Sequence, residues 1–180
     1  PTGIGEKVHE IAGLWSDIYN MPNGFDPDRD FDHLFSDGAK FKLGNLDVRV
    51  ILSPGHTLGS ITYVIGDAAF VGDTLFMPDY GTARTDFPGG DAHTLYASIR
   101  KILAPPEDTR VFVGHDYLPE TRKDNRWEST VAEQRQSNKH VHEGVSEEEF
   151  VKLREERNAK LGSPRLLYPS LQVNIRGGNL

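Results

Sequence analysis

The chain has no cysteine among its 180 residues. That excludes a disulfide framework, a zinc ribbon and a cysteine nucleophile, and leaves any metal to be held by His, Asp and Glu. Cationic side chains are scarce as well: 20 Lys and Arg stand against 27 Asp and Glu, for a formal net charge of -7. A nucleic-acid partner needs a basic footprint that this balance does not supply, so small-molecule chemistry is the expectation. No apolar run approaches the roughly 20 residues that span a bilayer, and no charged-then-apolar leader opens the chain. A soluble protein with no membrane partner is expected. With 37% of its residues hydrophobic, the chain can bury one substantial core but is too short for two independent domains. Residues 1–180 are read as one domain or a large piece of one. The opening Pro1-Thr2-Gly3, without an initiator Met, leads to the expectation of missing upstream sequence.

Hydrophobic spacing then sets the elements. Ile4, Val8, Ile11 and Trp15 recur three or four apart and predict an opening helix. Asn20 to Asp32, with two prolines and four aspartates, reads as an acidic surface loop. From Lys40 the period becomes two, predicting one hairpin across Gly44-Asn45 and a second from Ile61 to Val71 across Gly66-Asp67. Asp91 can cap a helix bearing Leu95, Ile99, Ile102 and Leu103, which Pro105-Pro106 stops. Arg110 to Val113 reads as a buried strand. Trp127 to Asn138 and Ser146 to Lys160 read as helices, the second opened by a Ser146/Glu149 capping box before Phe150, Leu153 and Arg157. Leu166 to Val173 reads as a last strand.

Three chemically capable side chains share one position in this pattern. His56, Asp73 and His115 each follow a short hydrophobic strand and are preceded by glycine, where side chains converge at a sheet edge. Imidazole and carboxylate together suit zinc, iron or manganese, and two His with one carboxylate and open positions is a non-haem Fe(II) arrangement.

Ser53-Pro54-Gly55-His56-Thr57, Phe70-Val71-Gly72-Asp73-Thr74-Leu75-Phe76 and Val113-Gly114-His115-Asp116-Tyr117 occur in that order at about the separation used by the metallo-β-lactamase fold, which the chain resembles. Within that superfamily it is similar to the glyoxalase II-like branch and its persulfide dioxygenases, whose Gly-Arg-Thr-Asp-Phe loop is echoed by Ala83-Arg84-Thr85-Asp86-Phe87. Met77 to Arg84 and the tail Val173-Asn174-Ile175-Arg176 resemble bacterial β-lactamase-hydrolase-like proteins of the same branch. The resemblance implies an α/β fold, an αββα sandwich, here N-terminally incomplete, with a metal at one rim. It implies His56 as a primary-metal ligand and Asp73 as the carboxylate ligand, bridging two metals in the hydrolases and terminal to one iron in the dioxygenases. His115 would bind the second metal of the hydrolases, or stand near the iron of the dioxygenases without ligating it. Arg84 and Tyr117 would line the glutathione side of the pocket, although Arg84 could equally form a loop salt bridge with Asp86 or Asp91.

One departure bears on all of this. The family's His-x-His-x-Asp-His, which supplies the remaining ligands, is absent. His140-Val141-His142 sits in a polar stretch and reads as a surface pair, and His9, His33 and His93 read as structural or exposed. The leading expectation is an Fe(II) persulfide dioxygenase acting on a glutathione-type thiol in the cytoplasm. The runner-up is a thioester hydrolase with two Zn(II), and the third an inactive fragment or interaction module. A homodimer is left open.

Overall fold

The computed structural model describes residues 1–179. Strands β1 (Gly3–Gly5) and β2 (His33–Phe35) form a parallel pair, with helices α1 (Val8–Ile18) and α2 (Pro27–Asp30) between them in the chain. The main sheet takes β3 (Lys40–Leu43), β4 (Leu46–Leu52), β5 (Ile61–Ile65), β6 (Ala68–Phe70), β7 (Arg110–Phe112) and β8 (Glu128–Thr130) in chain order. All neighbours are antiparallel except β6 and β7. A parallel pair needs a long crossover, and α3 (Ala92–Ile102) lies within it. Helices α4 (Val131–Ser137), α5 (Glu147–Asn158) and α6 (Leu167–Asn174) complete the mixed α/β architecture.

Both predicted hairpins are present, with Leu43 facing Leu46 and Ile65 facing Ala68 across their turns. Because β4 and β6 are each antiparallel to β5, and β7 is parallel to β6, the chain leaves β4, β6 and β7 at the same edge. That topology delivers the three glycine-led loops to one side of the sheet.

The core lies under α3. Asp91 accepts a hydrogen bond from the Thr94 N–H at 2.7 Å and fixes the helix start, and Leu95, Ile99 and Ile102 then form one buried stripe by their spacing of four and three. They pack with Ala69, Val71, Val111 and Phe150. A second cluster joins α1 to α6 through Ala12, Trp15, Phe25 and Ile175. No helix is long and apolar enough to cross a membrane among the described residues.

Four local expectations are corrected. Ile4 lies in β1, not in the opening helix, which starts at Val8; its glycine neighbours are poor helix formers. The loop from Asn20 to Asp32 contains the single turn α2, started by Asp26, and buries Phe25. Glu128–Thr130 are strand, not helix, because β7 would otherwise present an unpaired edge; Thr130 is extended and caps α4 with a reciprocal Glu133 bond. Leu166 to Val173 is helix α6, not a strand. Leu167, Leu171 and Ile175, four apart, pack toward α1, and Pro169 sits in the first turn, where its missing N–H costs no helical bond.

Ile99→Ala, at a fully buried position, is expected to lower the unfolding free energy by about 2–5 kcal/mol in urea titrations. A loss below about 1 kcal/mol would mean that the contact between α3 and the sheet is not the core.

Candidate metal centre

His56 is placed by a tightly packed turn after β4. Gly55 adopts φ +133, and a Cβ there would stand 2.4 Å from the Leu95 Cα, so only glycine lets this turn lie against α3. The Ser98 hydroxyl donates to the Pro54 carbonyl at 2.7 Å, and the Asp91 N–H to that of Gly55 at 2.9 Å. The His56 Nδ1–H donates to the Arg84 carbonyl at 2.8 Å. A carbonyl can only accept, so in the neutral ring the lone pair resides on Nε2. That atom is 4.0 Å from Asp73 Oδ2.

Asp73 follows β6, and its other oxygen, Oδ1, accepts from His115 Nδ1 at 2.5 Å. Gly114 approaches so closely that an added Cβ would lie 3.0 Å from Asp73 Oδ1. Its N–H also donates to the Gly72 carbonyl at 3.0 Å, tying the two loops together. The His115 side chain is 59% exposed and stacks on Tyr117, which stacks in turn on Tyr80 with ring centres 5.0 Å apart. Partial burial, with the Asp73 carboxylate and Tyr80 close by, raises Tyr117 above the ordinary phenol range. It is therefore a donor at neutral pH.

The structure thus brings His56, Asp73 and His115 together, with Tyr117 beside them. Arg84 forms a loop salt bridge with Asp86, Nε and Nη2 pairing with its carboxylate at 2.7 and 2.5 Å; Nη1 donates to the Gly162 carbonyl, the cation lies over the Phe87 ring, and the side chain also lines the cleft beside His56 and Asp73. Asp91 is engaged instead as the cap of α3.

The donor set fits a metal in one respect and is short in another. An imidazole with Nδ1 committed to a carbonyl and Nε2 free is the usual state of a metal-binding histidine, and Asp73 presents Oδ2 toward that nitrogen. Yet no group of three or more His, Cys, Asp or Glu is arranged to hold a metal ion among the described residues. The His115 Nδ1–H is directed at the carboxylate.

Sequence reasoning missed the residues that hold the Arg84 carbonyl in place. His140, read as a surface residue, is 2% exposed; its Nδ1 accepts the Thr82 N–H at 3.0 Å. Gly81, at φ +107, makes room for that ring, since a Cβ would fall 2.2 Å from His140 Nδ1. Only His142 of the pair is exposed. Arg154 Nη1 donates to the carbonyls of Thr82 and Ala83, both at 3.0 Å. Its Nε donates to Asn158, whose Nδ2 reaches the Thr85 hydroxyl at 2.9 Å. The inward face of α5 is Phe150, Val151 and Arg154, not the stripe of Phe150, Leu153 and Arg157 expected from sequence.

A family model, the Metallo-beta-lactamase superfamily, matches residues 3–115, and the chain belongs to that family. A protein named beta-lactamase hydrolase-like protein from Xylella fastidiosa is 54% identical over the whole chain, which covers 41% of that protein. Glyoxylase B2 of Dictyostelium discoideum is 50% identical over 99% of the chain and 62% of its own length. The mitochondrial persulfide dioxygenase ETHE1 of Homo sapiens is 37% identical over 79% of the chain and 52% of its own length. The crystal structure of ETHE1 from Myxococcus xanthus superposes with a TM-score of 0.74 at 34% identity, over 83% of this chain and 62% of that one. The chain therefore spans about two fifths of its hydrolase-like relatives.

Burial and the nearby cations Arg157, Arg154 and Lys139 push His140 down to about 3, against about 6.5 unfolded. As pH falls below 6.5 the unfolded chain takes up a proton that the folded chain refuses, so stability is lost down to about pH 3, at up to about 1.4 kcal/mol per pH unit. His140→Gln is expected to flatten that limb in denaturant titrations across pH 4–7. An unchanged limb would mean that His140 is not buried in its neutral form.

Proposed function

We propose that the chain is part of an Fe(II)-dependent persulfide dioxygenase that converts glutathione persulfide, O2 and water to glutathione, sulfite and two protons. The observation that carries this reading is the bond from His115 Nδ1 to Asp73 Oδ1. It gives His115 the role of orienting the carboxylate, as expected beside a single iron, and leaves Asp73 Oδ2 and His56 Nε2 as this chain's metal-binding atoms. The Arg84-Thr85-Asp86-Phe87 loop and the ETHE1 relatives support the same reading. Iron held there would supply the redox chemistry with O2.

The remaining residues have separate tasks. His56 keeps its free nitrogen directed inward because the Arg84 carbonyl fixes the opposite one. Tyr117, protonated and lining the cleft beside Asp73, can donate to the thiol substrate. Phe87 packs on His56 with ring centres 5.2 Å apart and limits water on that side.

A second reading is a thioester hydrolase with two Zn(II), in which Asp73 and His115 would both help to hold the metals and the metals would supply an activated water. The hydrolase-like names of the relatives at 54–55% identity favour it.

Metal analysis and an oxygen electrode separate the two in the full-length protein. About one iron per chain is expected, with O2 consumed in proportion to persulfide. His56→Ala is expected to lose the metal, whereas His115→Gln keeps it and falls about 10–100-fold in kcat. Two zincs per chain, no O2 uptake and release of glutathione from an acyl-glutathione would overturn the dioxygenase in favour of the hydrolase.

A further inference from the structure

The His115 side chain that donates to Asp73 is largely exposed, so burial does not hold it there. Its neighbours are two tyrosine rings. Tyr117 stacks on His115 with ring centres 5.7 Å apart, and on Tyr80 at 5.0 Å. Tyr80 lies on the loop after β6 and Tyr117 on the loop after β7. Stacking alone is too weak and too tolerant of sliding to fix two loops against each other.

One cation joins them. The Arg122 side chain is 10% exposed, and each of its five guanidinium N–H groups has a partner. Nε and Nη2 pair with the Asp79 carboxylate, Nη1 and Nη2 donate to that of Asp116 at 2.8 and 2.6 Å, and Nη1 also reaches the Asp124 carbonyl at 2.8 Å. Asp79 precedes Tyr80, and Asp116 stands between His115 and Tyr117. Asp116 further accepts the backbone N–H of Arg126 at 2.7 Å and that of Leu118 at 3.3 Å. The latter bond restrains a turn that needs restraint, because Leu118 sits at φ +39, which side chains other than glycine rarely adopt. A planar fork can serve two carboxylates at fixed angles, so Arg122 sets the distance between the loops as well as neutralising charge.

We infer that Arg122 is a positioning residue for His115: by locking Asp79 to Asp116 it holds the stack of Tyr80, Tyr117 and His115 in the one arrangement that keeps the His115 Nδ1–H on Asp73. This rests on the orienting role that the proposed function gives His115. Arg122 is not among the residues lining the cleft beside His56 and Asp73, so it acts through the loops and not on the substrate. A carboxylate only accepts, so the bond to Asp73 requires the Nδ1–H form of the ring. An imidazole released from that bond takes both neutral forms.

The test reads the imidazole directly. In metal-free full-length protein carrying 15N histidine, at alkaline pH, couplings from the carbon-bound ring protons report which nitrogen is protonated. Wild type is expected to show His115 in the Nδ1–H form, assigned by its disappearance in His115→Gln. Arg122→Met, which removes the clamp, and Asp79→Ala, which opens half of it and leaves Arg122 paired with Asp116, are both expected to convert His115 to a mixture with the Nε2–H form. His56 is the internal control, since its Nδ1–H is held by the Arg84 carbonyl and is expected to stay in one form. In the metal-loaded protein Arg122→Met is expected to lower kcat about tenfold, and adding it to His115→Gln to cost nothing more, because both act through one bond. An unchanged His115 signal in the two variants, a His56 signal that changes with it, or losses in kcat that multiply in the double variant would each reduce the clamp to a structural brace and overturn the inference. If Arg122→Met does not fold, Asp79→Ala decides by the same signals. The ring signal needs neither metal nor turnover, so a failed clamp leaves the dioxygenase standing, and a protein that consumes no O2 can still sustain the clamp.

Discussion

The site depends on one backbone oxygen. The Arg84 carbonyl takes the His56 Nδ1–H and thereby decides which imidazole nitrogen faces Asp73. A carbonyl on a loop is a poor anchor unless the loop is itself held. Here His140 accepts from Thr82, Arg154 donates to Thr82 and Ala83, and Asn158 reaches Thr85. The segment is gripped from two directions by groups buried behind it. Loosening any of them would leave His56 present but free to turn, which is why the clamp bears on reactivity as much as on stability.

The same economy explains the placement of the other two side chains. Alternating strand direction brings the ends of β4, β6 and β7 to one edge, and glycines at 55 and 114 let the following loops approach within contact distance. Asp73 stands between two imidazoles with each oxygen directed at a different one. A neighbouring clamp, in which Arg122 bridges Asp79 and Asp116, fixes the segments that carry Tyr80 and Tyr117. With Arg122 supplying the strongest pull, Asp116 is held down to about 2 and remains a carboxylate throughout the physiological range. The segments around the site are thus held by paired groups, Arg122 between two carboxylates and Arg154 on two loop carbonyls.

Much of this was legible in the sequence where the signal is local. The two hairpins, the Asp91 cap, the Ser146/Glu149 capping box and the three glycine-led motifs all follow from spacing within a few residues, and each is found where expected. The misread elements are those in which local preference was nearly balanced. Leu166 to Val173 carries both periods, and the α1 surface that accepts Leu167 and Leu171 selects the helix. Glu128–Thr130 becomes strand because β7 offers it an edge.

The sequence by itself determined the hairpins, the starts of α3 and α5 and the position of His56, Asp73 and His115 just past strand ends, because strand period, capping and glycine turns act over a few residues. Only the tertiary structure decided that His140 is buried, that Arg84 closes on Asp86, that His115 donates to Asp73 and that Arg154 lies charged inside α5's inward face. Each of those depends on partners 2 to 72 residues away. Burial and hydrogen-bond partnership are properties of the packed chain, and a histidine or arginine carries no mark in its own neighbourhood of which partner it will meet.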